Sequence, residues 1–153
     1  MTRKDRGDLT KIFGCYGIWP VLMDDKGRIL VPLGHHQPDS DPKARGFMVH
    51  LAPDNKRLFL FPPSELEKIP ETIKADLMPL LTFLRIDNAG RICIPIELRK
   101  ALMERDPAQE NNLVIVGRSN RFEIWTAKEW ESEKTNQAER FESAISELTN
   151  EHD

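Results

Sequence analysis

Met23-Asp-Asp-Lys-Gly-Arg-Ile-Leu-Val-Pro32 recurs as Ile86-Asp-Asn-Ala-Gly-Arg-Ile-Cys-Ile-Pro95, at an offset of 63 residues in a chain of 153 residues. The aspartate, glycine, arginine, isoleucine and proline are identical in both copies, and chance agreement at five of ten positions is improbable. Residues 57–61 and 121–125 also resemble each other at nearly the same offset. The sequence therefore predicts a tandem duplication of two units of similar length.

Each copy of the repeat encodes a tight turn followed by a strand. The aspartate can accept hydrogen bonds from backbone amides two residues further on, and the glycine tolerates the positive φ of a tight turn. In the strand, Ile29 and Ile92 alternate with Arg28 and Arg91, so the isoleucines are predicted to face the core and the arginines to point away from it. Two matching turns should thus present two matching arginines.

The two units differ in the segment after this strand. In the second unit, Pro95 can begin a helix whose apolar side includes Leu98 and Leu102, and Asp106-Pro107 is expected to end it. The first unit has residues 34–46 in that place, with two prolines and two glycines. An irregular loop is predicted there instead of a helix.

Hairpins and further helices complete the predicted elements. Hairpins are expected where an apolar run, a turn sequence and a second apolar run follow one another, at residues 47–61 and 112–125. Two capping boxes, Ser64-x-x-Glu67 and Thr126-x-x-Glu129, predict helix starts. The predicted organisation is a first half at residues 1–63, a helical connector at 64–82, a second half at 83–126, and an acidic C-terminal helix and tail at 127–153.

Composition and charge exclude several classes of protein. The chain is 39% hydrophobic and 31% charged, which fits a compact domain rather than a disordered tail. Its longest apolar runs are far shorter than the roughly 20 residues that cross a bilayer, and no secretory signal is recognisable, so we expect a cytoplasmic protein without a membrane partner. Cys15 and Cys93 lack a C-x-x-C partner and are predicted to be reduced, buried thiols.

The net charge of −3 hides an asymmetry. Residues 128–153 carry −5, which leaves the rest of the chain slightly basic and allows a local cationic surface. The same segment is predicted to form a helix with an apolar edge that includes Trp130, Phe141, Ile145 and Leu148. Charge alone therefore neither shows nor excludes a nucleic-acid partner.

Motifs for catalysis are missing from the sequence. It has no nucleophile elbow, phosphate-binding loop, zinc-protease motif or dinucleotide fingerprint. The His35-His36 pair has no further ligands at metal-site spacing, and Asp24 and Asp87 are explained by their turns. We therefore expect no enzyme, no catalytic residue, no metal, no cofactor and no small-molecule substrate.

Arg28 and Arg91 are the leading candidates for binding. Guanidinium groups on one surface can bridge phosphates or bond guanine O6 and N7, and Lys26 lies beside the first of them. Alternatively, each arginine pairs with the aspartate of its own turn, and the two roles can coexist. Weaker candidates, which can equally be solvated surface residues, are Arg99, Lys100 and Arg118.

The motif D-x-x-G-R-x-x-[IV]-P at residues 24–32 and 87–95 resembles the signature of MraZ, a family of bacterial transcriptional regulators built from two AbrB-like units. The second unit is similar beyond the motif, at Ile96-Glu97-Leu98-Arg99, Val116-Gly117 and Phe122-Glu123-Ile124-Trp125. The first unit diverges, with Pro32-Leu33-Gly34 where the family has a helix. Coverage runs from about residue 12 to about residue 145.

This resemblance implies an α+β, mainly β fold in which two halves form a pseudo-twofold, swapped-hairpin β-barrel. It also implies a homo-oligomeric ring that binds repeated short boxes in double-stranded promoter DNA of a division and cell-wall gene cluster, in the nucleoid. By the same resemblance, Arg28 and Arg91 stand where the family's DNA-contacting arginines are, and Lys26 fills the basic position beside the first.

Three alternatives remain open at this stage. The first is an antitoxin-like AbrB relative that masks a toxin with its C-terminal helix. The second is a protein-interaction module that has lost DNA binding and docks through residues 128–153. An enzyme of unknown mechanism comes third, supported only by the loop at residues 34–46.

Overall fold

The structure is a computed structural model that describes residues 15–32, 45–103 and 111–151, of which the final two residues are described by backbone alone. Several sequence predictions fall outside the described residues. These are the irregular loop at 34–46 except for its last two residues, the His35-His36 pair within that loop, and the helix end at Asp106-Pro107.

The fold is α+β and consists mainly of strands, which confirms the predicted class. In chain order the elements are β1 (Ile18–Leu22), β2 (Arg28–Leu30), β3 (Gly46–Leu51), β4 (Arg57–Phe61), α1 (Pro63–Leu66), α2 (Glu71–Leu77), a 3₁₀ turn (Met78–Leu80), β5 (Thr82–Arg85), β6 (Arg91–Cys93), α3 (Ile96–Met103), β7 (Asn112–Gly117), β8 (Phe122–Thr126) and α4 (Ala127–Glu151). Within the described residues, none of these helices has the length and apolar character needed to cross a membrane.

The strands form one antiparallel sheet of six strands, in the order β1-β7-β8-β4-β3-β5, and a separate two-stranded ribbon of β2 and β6. Because β1 and β5 are the two edges of the six-stranded sheet and do not pair with each other, the described strands leave the sheet open. The β-barrel that the resemblance implies is therefore not closed in the described strands. The three-residue strands β2 and β6 pair with each other and do not extend the larger sheet.

The strand order is symmetric under exchange of the two halves. If β1, β3 and β4 are exchanged with β5, β7 and β8, the same order is obtained in reverse. The central pair β4–β8 and the ribbon β2–β6 each join one half to the other. The two halves therefore form a single structure and not two separate domains. The tandem origin of the halves stays a prediction from the sequence.

The main core lies between the ribbon and one face of the sheet. Ile29 and Ile92 from the ribbon pack in the same cluster as Ile115, Phe122 and Ile124 from the sheet, and all five are buried. Burying a side chain of this size stabilises the fold by roughly 1.5–3 kcal/mol. The ribbon is thereby fixed on the sheet by its isoleucines, as their alternation with arginine predicted.

A second cluster lies on the opposite face of the sheet, beneath α4. It contains Val114, Val116, Trp125 and Trp130, and the ring centroids of the two tryptophans are 5.6 Å apart. Because successive side chains of a strand point to opposite faces, this cluster and the main core lie on opposite sides of β7 and β8. The acidic helix α4 is thus separated from the ribbon by the sheet and the main core.

Helix starts agree with the sequence in two places and disagree in one. The backbone N–H of Glu129 donates to Oγ1 of Thr126 over 3.3 Å, as the second capping box predicted, and α3 begins directly after Pro95. The prediction that a capping box at Ser64 starts the helix α1 is wrong. Pro62 is the N-cap of α1 and Pro63 takes the first helical position, because a proline ring already has the φ that this position requires.

Candidate nucleic-acid interface

The first turn is organised by the carboxylate of Asp24. Its Oδ1 accepts hydrogen bonds from the backbone N–H groups of Lys26 (3.0 Å) and Arg28 (2.8 Å), and its Oδ2 accepts one from Nε of Arg28 (2.6 Å). Gly27 has a φ of 84°, a left-handed conformation that favours glycine. One side chain therefore closes the turn and orients the arginine that follows it.

The second turn repeats this arrangement with Asp87. Its Oδ1 accepts hydrogen bonds from the backbone N–H groups of Ala89 and Arg91, both over 2.9 Å, and its Oδ2 accepts one from Nε of Arg91 (3.2 Å). Gly90 has a φ of 82°. The alternative prediction, that each arginine pairs with the aspartate of its own turn, is confirmed. Because this contact uses Nε, it does not occupy the terminal Nη1 and Nη2 groups.

The ionisation states of the side chains also favour a lasting ion pair between the aspartate and the arginine of each turn. The hydrogen bond from the backbone N–H of Arg28 lowers the pKa of Asp24, and the backbone N–H of Arg91 lowers the pKa of Asp87 in the same way. The hydrogen bond to Asp24 raises the pKa of Arg28. The aspartates are therefore ionised and Arg28 is charged throughout the physiological range of pH.

The ribbon directs both arginines to one surface. Ile29 pairs with Ile92 on the buried side, so the alternating residues of both strands point outward. Arg28 lies opposite Cys93 and Leu30 lies opposite Arg91. We call the four outward side chains, Arg28, Leu30, Arg91 and Cys93, the ribbon face.

The arginines of the ribbon face are diagonal neighbours, which places their Cα atoms roughly 7–8 Å apart. The side chains of Arg28 and Arg91 are 34% and 36% exposed, so both guanidinium groups are accessible from the same side. Cys93 is exposed as well, and the prediction that both cysteines are buried is wrong for this one. It alternates with Ile92 along β6 and therefore shares the outward face with Arg91.

Three further candidates lie near the first turn. Lys26 is exposed within the turn itself. Arg99 projects from α3, donates from Nε to the carbonyl oxygen of Ile94 over 3.0 Å, and passes so close to Gly27 that a Cβ there would lie 2.7 Å from its Cζ. Arg99 and exposed Lys100 line a cleft of about 370 Å³ between the first turn and α3. The structure thus brings Arg99 and Lys100 beside the turn that carries Lys26.

Within the described residues, the two carboxylates nearest the ribbon are already bonded. Asp24 and Asp87 are engaged in their turns, so neither is a free general base. No three histidine, cysteine, aspartate or glutamate side chains of the described part of the chain are grouped closely enough to hold a metal ion.

Comparison with known proteins identifies the family. A family model with the description "MraZ protein, putative antitoxin-like" matches residues 81–151. The transcriptional regulator MraZ of Limosilactobacillus reuteri (strain DSM 20016) is 32% identical over 151 residues, which cover 86% of this chain and 95% of that protein. The chain belongs to the MraZ family. The transcriptional regulator MraZ of Marinomonas sp. (strain MWYL1) is 30% identical over 133 residues, covering 77% of this chain and 83% of its own length.

The match to the MraZ family model covers the second half of the fold and α4. It includes the second turn with Asp87 and Arg91, whereas the first turn lies outside it. The alignments to whole MraZ relatives are longer and cover 77% and 86% of the chain. The divergence that the sequence shows in the first half is thus in keeping with a family match confined to the second half.

In this MraZ chain, Arg118 is separated from the arginines of the ribbon face. Its Nε donates to Oε1 of Glu123 over 3.2 Å, and its Cζ lies 5.8 Å from the centre of the Trp130 ring. Glu123 alternates with Phe122 and Ile124 of the main core, so it lies on the opposite side of the sheet. The side chain of Arg118 is thus held by a buried partner rather than being a fully solvated surface residue.

Glu123 is the residue that sequence reasoning missed. It is fully buried and lies against the guanidinium groups of Arg118 (3.2 Å), Arg121 (2.8 Å) and Arg57 (3.6 Å), and it accepts a hydrogen bond from the Trp125 indole (3.1 Å). A buried carboxylate needs such partners, because an unpaired buried charge is very costly. The available signal was a glutamate inside the apolar run from Phe122 to Trp125.

Proposed function

We propose that this MraZ-family chain is a sequence-specific, double-stranded-DNA-binding regulator of transcription that binds through the ribbon face. Its relatives are named as transcriptional regulators. The family resemblance further implies that it acts as a homo-oligomer on promoter DNA of a division and cell-wall gene cluster, within the nucleoid. The observation that carries the proposal is the common outward direction of Arg28 and Arg91 from two matching turns.

The dimensions of the ribbon suit a DNA duplex. A major groove about 12 Å wide admits a two-stranded β-ribbon, and arginine is the side chain that most often bonds the O6 and N7 atoms of guanine there. Each aspartate holds Nε of its arginine, so the arginine is oriented before DNA arrives while its Nη groups can bind phosphates or bases. Lys26, with Arg99 and Lys100 beyond it, would add contacts to phosphate groups.

The net negative charge does not oppose this role, because the acidic residues are segregated. Residues 128–153 carry −5, and α4 packs on the face of the sheet that is turned away from the ribbon. The Debye length is about 8 Å at physiological ionic strength, so a charge behind the core is strongly screened from DNA at the ribbon face.

Removal of the two arginines tests the proposal. We expect the Arg28→Ala/Arg91→Ala double variant to lose the gel shift that the unaltered chain gives with DNA from upstream of its own coding region, at every salt concentration used. The backbone N–H donors to Asp24 and Asp87 remain in this variant, so the fold should be preserved and circular dichroism should be unchanged.

A matched control separates a site from a general loss of charge. The Lys134→Ala/Arg140→Ala variant removes two cations from α4, on the far side of the sheet, and should bind DNA as the unaltered chain does. An unchanged gel shift with the double arginine variant would refute the proposal.

A second candidate function is protein binding by α4. Phe141, Ile145 and Leu148 are 67%, 46% and 54% exposed, and their spacing of four and three residues places them on one side of the helix. This apolar stripe favours α4 as the contact between copies of the chain in a homo-oligomer. An unrelated protein that copurifies in stoichiometric amount would favour the antitoxin-like alternative instead.

A further inference from the structure

The two arginines of the ribbon face occupy equivalent positions, but the other two side chains of that face differ from each other. Hydrogen bonds from Val31 N–H to the Gly90 carbonyl (3.0 Å) and from Ile94 N–H to the Gly27 carbonyl (2.9 Å) flank the pair Ile29–Ile92. Their register makes the outward pairs of the ribbon face non-hydrogen-bonded pairs, in which opposing side chains approach most closely. The ribbon face is therefore a compact group of four side chains with arginines on one diagonal.

Leu30 and Cys93 occupy the other diagonal, at equivalent positions of the two repeats. Leu30 is 59% exposed, although it lies directly opposite Arg91, and it presents a branched apolar group between the two arginines of the ribbon face. Cys93 is smaller and its thiol donates to the carbonyl oxygen of Lys26 over 3.3 Å. The arginines of the two repeats match, whereas these two residues differ.

We propose that Leu30 and Cys93 determine specificity, and that Leu30 contacts the 5-methyl group of a thymine in the major groove. This inference rests on the proposed DNA binding at the ribbon face. The aspartates of the two turns draw the arginine Nε atoms toward the ends of the ribbon. In a groove that holds the ribbon, Leu30 and Cys93 are therefore left facing the base edges between the arginines. The thymine methyl is the apolar group on the major-groove edge, and polar base edges would be left unpaired against leucine.

The same arrangement gives the complex a direction. Arg28 and Arg91 make equivalent contacts on either side of the ribbon's pseudo-twofold axis. These two residues alone would therefore bind any given site equally well in both orientations. Leu30 has its counterpart in Cys93, which offers a smaller side chain held against Lys26. A thymine is therefore preferred on the Leu30 side and not on the Cys93 side, and each protomer favours one orientation on its box.

Deletion of single methyl groups tests this contact. In the promoter duplex upstream of the coding region, each thymine is replaced in turn by deoxyuridine, and Kd is measured by fluorescence anisotropy with the full chain. We expect one thymine per box whose replacement weakens binding about fourfold, the effect of removing one methyl group from an apolar contact. In the Leu30→Ala variant this effect should disappear.

Two further variants make the result specific. Leu80→Ala removes a leucine of nearly equal exposure, 58%, from the connector, and it should keep the fourfold methyl effect. The Leu30→Cys/Cys93→Leu exchange should move the sensitive thymine to the opposite side of the box. A methyl effect that persists in Leu30→Ala would overturn the inference.

Failure of the inference and failure of the proposed function have different signatures. If the unaltered chain binds DNA, the double arginine variant does not, and no thymine replacement changes Kd, DNA binding stands and the role of Leu30 is refuted. If the unaltered chain binds no duplex, both are refuted.

Discussion

At the scale of single residues, Asp24 and Asp87 each combine two tasks. One carboxylate oxygen closes a turn by accepting backbone N–H groups, and the other holds Nε of the arginine that follows. A side chain fixed in this way loses less conformational entropy when it binds a ligand. The aspartates are therefore positioning residues for Arg28 and Arg91.

Acid should destabilise the fold through these two carboxyl groups. Their pKa values are lowered from 3.8 in the folded protein, so the unfolded chain binds protons first and stability is lost as the pH falls through the folded values. We expect the free energy of urea unfolding to fall below about pH 4, and the Asp24→Asn/Asp87→Asn variant to flatten that fall. The Asp76→Asn/Glu147→Gln variant, with the same number of carboxyl groups removed elsewhere, should keep it. An equally steep fall in both variants would contradict this explanation.

The two cysteines provide a chemical test of the ribbon face. Burial raises the pKa of the Cys15 thiol to about 12, whereas Cys93 is exposed beside the arginines. We expect a bulky maleimide to label the folded chain once, at Cys93, and the labelled chain to lose DNA binding because the adduct covers the ribbon face. In the Cys93→Ser variant, which lacks the accessible thiol, maleimide treatment should leave the DNA affinity of that variant unchanged. Full DNA binding by the labelled chain would contradict the proposed interface.

At the scale of elements, α4 has two parts with different surroundings. Trp130 is buried against Trp125, whereas Phe141 is 67% exposed about three turns further along. The Trp130→Ala variant should lose about 3–5 kcal/mol of unfolding free energy, as for other large-to-small core substitutions. Phe141→Ala, the aromatic control on the same helix, should change it by less than about 0.5 kcal/mol. Similar losses in urea unfolding would show that α4 is not held as described.

The apolar stripe on α4 should act between molecules rather than within one. We expect replacement of Phe141, Ile145 and Leu148 by serine to lower the mass measured by light scattering while leaving the circular dichroism of the fold nearly unchanged. The exposed residues of this stripe contribute little to the core of their own chain, and their removal takes apolar area from the proposed interface. An unchanged mass would exclude the stripe from assembly.

Element prediction succeeded where the signal was local. The aspartate and glycine of each turn, the proline before α3 and the threonine before α4 act on neighbours within a few residues, and the structure agrees at each of them. The start of α1 failed because two adjacent prolines offered a second local signal that outweighed Ser64. The burial of Cys93 was also misjudged, although its alternation with Ile92 already indicated the outward face.

At the scale of the whole molecule, the important arrangements depend on contacts between distant residues. The repeat predicted two matching turns, but the pairing of Leu30 with Arg91 and the strand order of the open sheet depend on tertiary packing. Glu123 and Arg118 show the same limit, because several strands and turns must meet before the carboxylate is surrounded. The family resemblance implied a swapped-hairpin β-barrel, whereas the described strands leave the six-stranded sheet open at both edges.

The whole molecule also separates its charges. The ribbon face lies on one side of the main core, and the acidic α4 lies beyond the opposite face of the sheet. A chain with a net charge of −3 therefore carries two outward arginines on one side and an acidic, partly apolar helix on the other. Binding several DNA boxes through one oligomer would raise avidity by roughly 10² to 10⁴ when the spacing of the boxes fits the assembly.

The most direct measurement compares Arg28→Ala with Arg91→Ala, each alone, in DNA titrations over a range of salt concentrations. If both turns present their arginines to one duplex, each variant should weaken binding by a similar factor, roughly 5- to 150-fold, and the removal of each arginine–phosphate interaction should reduce the salt slope by about one. A large loss of affinity in one variant with unchanged affinity in the other would contradict binding by both turns.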